Sequence, residues 1–194
     1  MSPQDLQLLL KQRRSTFPAQ YTGEKIDDSI VWQILQNATF APTHGKTEPW
    51  HFTVFTGEGR QKFADFQATL YKNTNSEDTF ENSKYQKLLS NPLQASHIIA
   101  IAMKRLESAK IPPIEDEYAC ACAIQNIYLS ATAYGLGGFW STGGMTYRPE
   151  AKPFLGLGEQ DKLLGFFYLG VIAKPSNEFV RKPVQEKTTW VSNL

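Results

Sequence analysis

The sequence predicts one domain that mixes α-helices with β-strands, and three observations carry that prediction. Two apolar runs, His97 to Met103 and Leu163 to Ala173, have the length and content of buried strands. Trp50-His51-Phe52-Thr53-Val54-Phe55 alternates in the manner of a half-buried strand. Helical periodicity fills Asp27 to Phe40 and about Glu115 to Tyr134. A chain of 194 residues can bury a substantial core. No repeat or composition break marks a second domain, so residues 1–194 read as one domain with 176–194 as a C-terminal extension.

In chain order, Ser2-Pro3 with Asp5 is a helix start, followed by an apolar stripe of Leu6, Leu9 and Leu10. Pro18 to Lys25 is a connector. Asp27 caps a helix with Ile30, Val31, Ile34, Leu35 and Ala38 on its apolar face. Pro42 biases Ala41 out of the α region and ends that helix, and Pro49 introduces the strand from Trp50. After Gly57 to Arg60 a helix turns Phe63, Phe66 and Leu70 inward. Asn73 to Asn82 reads as loop, and a weak helix follows near Ser83 to Leu89. Glu115-Asp116-Glu117 put negative charge on the first turn of a long helix made thin by alanines, suited to the domain centre or to a second subunit. Gly135 is its left-handed cap, and Gly137, Gly138, Gly143 and Gly144 allow a backbone to approach a ligand. A short helix is expected within Pro149 to Leu157 and a β-prone end at Thr188 to Val191.

Several functions are excluded or disfavoured. A net charge of +1 gives no electrostatic case for nucleic acid or an anionic membrane. The apolar runs are too short to span a bilayer, and Met1 to Arg14 lacks the pattern of a signal peptide. Cys120 and Cys122 lie two apart on a helix, point to different faces and have no ligand partners at metal spacing. No metal site is expected, and a reducing cytoplasm fits two free thiols. The glycine-rich segment follows a helix and not a strand, so it is no dinucleotide fingerprint, and a Walker loop is absent.

Two stretches have chemistry that the residues alone leave open. Arg13-Arg14-Ser15-Thr16, just past the first helix, offers forked donors to an anionic oxygen, or simply complements the helix dipole. The loop between Pro42 and Pro49 holds His44, Lys46 and Glu48. It is a binding loop fixed by rigid neighbours or a solvated connection.

Taken together, Arg13-Arg14-Ser15, then Ala41-Pro42-Thr43 leading to Glu48-Pro49-Trp50-His51-Phe52, then Gly135-Leu136-Gly137-Gly138-Phe139-Trp140 at the end of a long helix resemble the FMN-dependent nitroreductase family. The likeness extends from Leu6 to about Lys174 and is greatest to its short, single-domain bacterial members. It implies an α+β fold, a central mixed and mostly antiparallel sheet flanked by helices. It also implies a homodimer with FMN at the subunit interface. By the same resemblance Arg13, Arg14 and Ser15 contact the phosphate and ribityl chain, and Phe40 and His44 reach the flavin from the partner subunit. Trp140, Ser141 and Thr142 touch FMN, and Arg181 belongs to a basic element that completes the phosphate site. Ser130 to Gly135 aligns with a stretch that such members use for the nicotinamide dinucleotide, although a helix interior is a poor place for a ligand.

This chain also departs from the family pattern. Lys46 stands where many members have Asn, Glu48 where many have Gln, and Phe40 where an arginine is expected. Phe17 occupies a position that is basic in many members, which leaves Lys46 as the candidate cation near the flavin pyrimidine edge, or as a solvated lysine. His44 and Lys46 are candidates for tuning, with no certain catalytic residue, because the flavin carries the chemistry. The resemblance thus implies an oxidoreductase in which NADH or NADPH reduces FMN and a nitroaromatic, quinone or similar small acceptor reoxidises it by a ping-pong mechanism. The competing class is a non-catalytic FMN-binding or carrier protein.

Overall fold

A computed structural model describes residues 2–177 and 179–192. Four strands, β1 (Trp50–Phe55), β2 (His97–Met103), β3 (Leu136–Ser141) and β4 (Lys162–Val171), form one sheet in the order β1-β2-β4-β3. All three strand pairs are antiparallel. The parallel component expected of a mixed sheet is a single bridge between Ser15 and Gly138. Six helices surround the sheet: α1 (Pro3–Gln12), α2 (Asp28–Ala38), α3 (Glu58–Thr74), α4 (Asn82–Gln94), α5 (Pro113–Ala133) and α6 (Ala151–Phe154).

Strand alternation divides the core between the two sheet faces. Ile99 and Ile101 of β2 with Phe167 and Leu169 of β4 pack on α2 and α5. Ile98, Ala100 and Ala102 with Phe166 and Tyr168 pack on Phe63 of α3 and on Ala151 of α6. The register shifts between Ile101 and Ala102, because Gly165 pairs with Ile101 and Leu163 with Ala102. Leu164 is the extra residue of a β-bulge, and it moves Leu163 onto the α3 face and Leu164 onto the α5 face.

Local chemistry sets the helix boundaries. Ser2 Oγ accepts from the Asp5 amide at 3.1 Å while Asp5 accepts from the Ser2 amide at 2.7 Å, a capping box. Asp27 accepts from the Ser29 amide at 2.8 Å, and Gly135 takes φ +70 beyond α5. The leucine stripe of α1 forms as expected but stands largely open on this chain, with Leu6 44% and Leu10 48% exposed. Two expectations need correction. The expected loop at 73–82 shrinks because α3 continues to Thr74, and α4 runs past Pro92. Pro92 has no amide hydrogen for the Leu88 carbonyl four residues back, and Gln67 Nε2 donates to that carbonyl at 2.5 Å in its place. Residues 188–191 form no strand. The tail is anchored instead near its start, where Ser176 Oγ donates to the Ser15 carbonyl at 2.8 Å.

His97, at the first position of β2, is buried between Ser96 and Asp28, with its ring nitrogens 2.9 and 3.2 Å from Ser96 Oγ and Asp28 Oδ1. Burial disfavours the imidazolium and holds the His97 pKa below the usual histidine value, although Asp28 opposes this. The unfolded chain therefore takes up more protons than the folded one as pH falls below about 6.5, and stability falls with it. Melting temperatures measured from pH 7.5 to 5.5 are expected to drop more steeply for the parent than for His97→Gln. Equal slopes would remove His97 from the account.

Candidate functional site

The segment leaving α1 is extended: Arg13 has ψ 123, and Thr16 donates its amide to the Gly138 carbonyl at 2.9 Å. This edge pairing brings Arg13 and Ser15 against Tyr128 of α5. The Arg13 guanidinium carbon lies 5.0 Å from the Tyr128 ring centroid, and Ser15 Oγ is 3.2 Å from the Tyr128 hydroxyl. The Trp140 amide of β3 donates to the same hydroxyl at 2.8 Å. Arg13, Ser15 and Trp140 thus gather around one phenol, although Trp140 lies far along the chain from the other two. Ser141 is half-buried at the end of β3 and Thr142 is exposed just beyond it.

Arg14 does not join this group. Its guanidinium donates to the carbonyls of Lys11 and Arg13, and its side chain lines a cavity of about 790 Å³ together with Lys11, Thr132, Phe179 and Arg181. The Arg181 guanidinium sits 4.7 Å from the Phe179 ring centroid at that cavity. Ser130, in the stretch aligned with nicotinamide binding, accepts from Asn37 Nδ2 at 3.1 Å inside the α2–α5 contact.

Two of the four glycines do not serve as expected. Gly143 and Gly144 lie beyond β3 with open space beside them. Gly137 and Gly138 lie on β3, and the room they leave is filled by the protein's own side chains. A Cβ at Gly138 would sit 2.4 Å from Phe167, and one at Gly170 would sit 2.4 Å from Tyr21. The bulge has a further part. Gly165 takes φ +130, and the Trp140 indole donates to the Leu164 carbonyl at 3.0 Å. Phe139 faces the other way and packs on exposed Phe17, with ring centroids 4.6 Å apart. Position 17 therefore presents an aromatic ring where the family resemblance implies a cation.

The loop of His44 and Lys46 lies elsewhere. Glu115, in the first turn of α5, accepts from His44 Nδ1, so Nδ1 carries the proton and Nε2 is left for another partner. Thr47 Oγ1 donates to Asp116 Oδ1 at 2.7 Å. Asp116 is fully buried and paired with Arg105, which also donates to the carbonyls of Ala109 and Ile111. Breaking such a buried pair costs about 3–5 kcal/mol, so the loop rests on a firm base. Lys46 and Glu48 have φ of 55 and 43, the left-handed region that side chains other than Gly and Asn rarely adopt. Lys46 is exposed, as is Phe40 at the end of α2.

Glu115 and Tyr128 are 13 residues apart on α5, about 20 Å at ~1.5 Å per residue. One chain therefore keeps His44 and the Arg13–Ser15–Trp140 group at separate places. Sequence reading missed Tyr128, which looks like one more apolar position of α5. It also missed the Arg105–Asp116 pair, because acidic residues at a helix start have a sufficient reason in the dipole. Cys120 is buried, which pushes its thiol up to about 12, and Cys122 is exposed. Among the described residues no three His, Cys, Asp or Glu side chains cluster as metal ligands, and no helix is long and apolar enough to cross a membrane.

The pattern of the nitroreductase family matches residues 10–171. The chain belongs to the nitroreductase family. One relative in this family, "Putative NAD(P)H nitroreductase YdjA" of Escherichia coli (strain K12), is 34% identical over 167 residues, which cover 85% of this chain and 86% of that protein. A nitroreductase-like family protein from Bacillus cereus superposes with a TM-score of 0.84 at 29% identity, over 100% of this chain and 99% of that one. The FMN-dependent nitroreductase NfnB of Mycobacterium smegmatis, solved with NADPH, superposes with a TM-score of 0.75 at 17% identity, over 97% of this chain and 99% of that one. These similarities place the α+β sheet and its helices in the nitroreductase fold.

The donor set around Tyr128 fits a phosphorylated ligand with a flat ring. Arg13 supplies a cationic fork and Ser15 a hydroxyl on an exposed edge, while Phe17 with Phe139 offers an aromatic surface on the opposite face of β3. This edge depends on the bulge. A Cβ at Gly165 would lie 2.5 Å from the Ser141 carbonyl oxygen and 2.7 Å from the Trp140 indole nitrogen. Gly165→Ala is expected to cost at least about 2 kcal/mol through backbone strain and overlap. Chemical denaturation measures it, and an unchanged midpoint would show that β3 shifts at no cost.

Proposed function

We propose that this protein is an FMN-dependent oxidoreductase that takes electrons from NADH or NADPH and passes them to a nitroaromatic, quinone or similar small acceptor. The observation that carries this reading is the gathering of Arg13, Ser15 and Trp140 on Tyr128 in a chain of the nitroreductase family. The relatives' names support FMN and NAD(P)H as the cofactors. When bound, FMN supplies the redox chemistry. The chain's task is to hold and orient it. Arg13 and Ser15 supply charge-assisted bonds of ~1.5–3 kcal/mol each to an anionic phosphate. Arg14 and Arg181 line a cavity next to the segment leaving α1 and add positive charge there. Phe40, Phe139 and Trp140 are the candidate apolar walls for the nicotinamide or acceptor ring, with Trp140 on the α5 face of β3 and Phe139 on the opposite face. Ser141 and Thr142 line the edge beyond β3. His44 and Lys46 are the tuning residues of the second loop. Two free thiols fit a reducing compartment, and we assign the protein to the cytoplasm.

We further propose a homodimer whose sites use both chains. His44 cannot join Arg13 within one chain, since α5 keeps Glu115 and Tyr128 about 20 Å apart. Large apolar side chains stand exposed on α1, on α2 (Trp32) and along the tail (Val180, Trp190). Such surface marks a protein interface. Sedimentation should give a dimer, and dilution should lower the melting temperature, because association stabilises the native state. A monomer that keeps its cofactor would refute the two-chain site.

The functional test is spectroscopic and kinetic. The purified protein, or protein incubated with FMN, should be yellow and should oxidise NADPH in the presence of a nitroaromatic. Nicotinamide and acceptor must each approach within about 3–3.5 Å of the same reacting atom, so one leaves before the other enters. Double-reciprocal plots at several acceptor concentrations should therefore be parallel. Failure to take up FMN would end the flavin reading, yellow protein without turnover would make it a carrier, and intersecting lines would show two separate subsites.

A further inference from the structure

We infer that Tyr128 is a positioning residue of the flavin site: its hydroxyl accepts from the Trp140 amide, donates to Ser15 Oγ, and so commits the Ser15 proton to the bound ligand. The inference rests on the FMN reading and deepens it. Tyr128 is 8% exposed, so its polar hydrogen must find an acceptor within the protein. Trp140 N, at 2.8 Å, is a donor only. Ser15 Oγ, at 3.2 Å, is the acceptor on hand. Either oxygen of that pair is chemically able to donate, and the burial of Tyr128 decides between them. Were Ser15 to donate, the phenol would accept twice, from Ser15 and from the Trp140 amide, and its own hydrogen would be left without a partner, so the O–H points at Ser15.

Ser15 then has a fixed role. Its oxygen receives the Tyr128 proton, and its own proton is left for the exposed side of the segment. A serine without this partner rotates freely between donating and accepting. Here it is biased to donate, which suits the acceptor oxygens of a phosphate or ribityl chain. The same ring carries the Arg13 guanidinium on its face, so one side chain orients both donors. The T-shaped contact of Tyr128 with Phe167, at 4.7 Å between centroids, holds the ring from behind.

Tyr128→Phe removes the hydroxyl and keeps the ring beneath Arg13. Its FMN dissociation constant, read by flavin fluorescence, is expected to rise about tenfold, with a similar rise for the exposed Ser15→Ala. The double variant should bind no more than about twofold more weakly than the weaker single variant, because both changes break one chain of bonds. Ser15→Thr, which keeps a hydroxyl, should remain near the parent. A Tyr128→Phe protein that binds FMN like the parent, or single effects that multiply in the double variant, would overturn the inference. Should Tyr128→Phe fail to fold, a fluorinated tyrosine at position 128, acidified into the neutral range, replaces it. Its FMN affinity should fall as rising pH removes the phenol proton, while the parent stays level over the same interval, and a level profile for both overturns the inference. A parent that takes up no FMN at all would overturn the function itself, an outcome separate from loss of coupling between Ser15 and Tyr128.

Discussion

One irregularity in β4 governs both the core and the candidate site. The bulge at Leu164–Gly165 lets a single strand place Leu163 with α3 and Leu164 with α5, so both faces of the sheet fill without a change of strand. It also turns the Leu164 carbonyl to the Trp140 indole, which fixes β3 at the sheet edge. That edge in turn receives the segment after α1. A regular pairing through Gly165 would keep the hydrogen-bond ladder but lose this acceptor and shift the packing of every residue before it.

The second organiser is α5, which works as a spacer. Its first turn holds the His44 loop through Glu115 and Asp116, and its later turns hold Arg13, Ser15 and Trp140 through Tyr128. Both attachments use polar contacts, on a helix whose buried face consists mostly of small and apolar residues. Because the helix is rigid, the two groups of side chains keep a constant separation.

The sequence reveals the elements well, and the reasons are physical. β1 and β2 appear with the expected ends because alternation and continuous apolar content have few other meanings. The caps at Ser2, Asp27 and Gly135 are local chemistry and need no tertiary knowledge. What sequence hides is compensation across distance. Pro92 looks like a helix end until Gln67, from another helix, supplies the missing donor. Glycines at 137 and 138 look like space for a ligand until Tyr21 and Phe167 take it. Arg13 and Ser15 were legible through their order relative to distant motifs, whereas Tyr128 has no such order and appears only when its three neighbours converge.

The span of those contacts has a kinetic consequence. Arg105 and Asp116 are 11 residues apart, whereas Ser15 and Tyr128 are 113 apart, and Tyr21 and Tyr168, whose hydroxyl and carbonyl meet at 3.1 Å, are 147 apart. Local contacts close cheaply, while long-range ones must overcome the entropy of a large loop before they return any energy. The N-terminal segment should therefore dock onto an already formed sheet, late in folding, and be the first part to open. Native-state hydrogen exchange should find the Thr16 amide less protected than those of β2. Competence to hold a ligand would then arrive last in the life of each new chain, after its core is sealed.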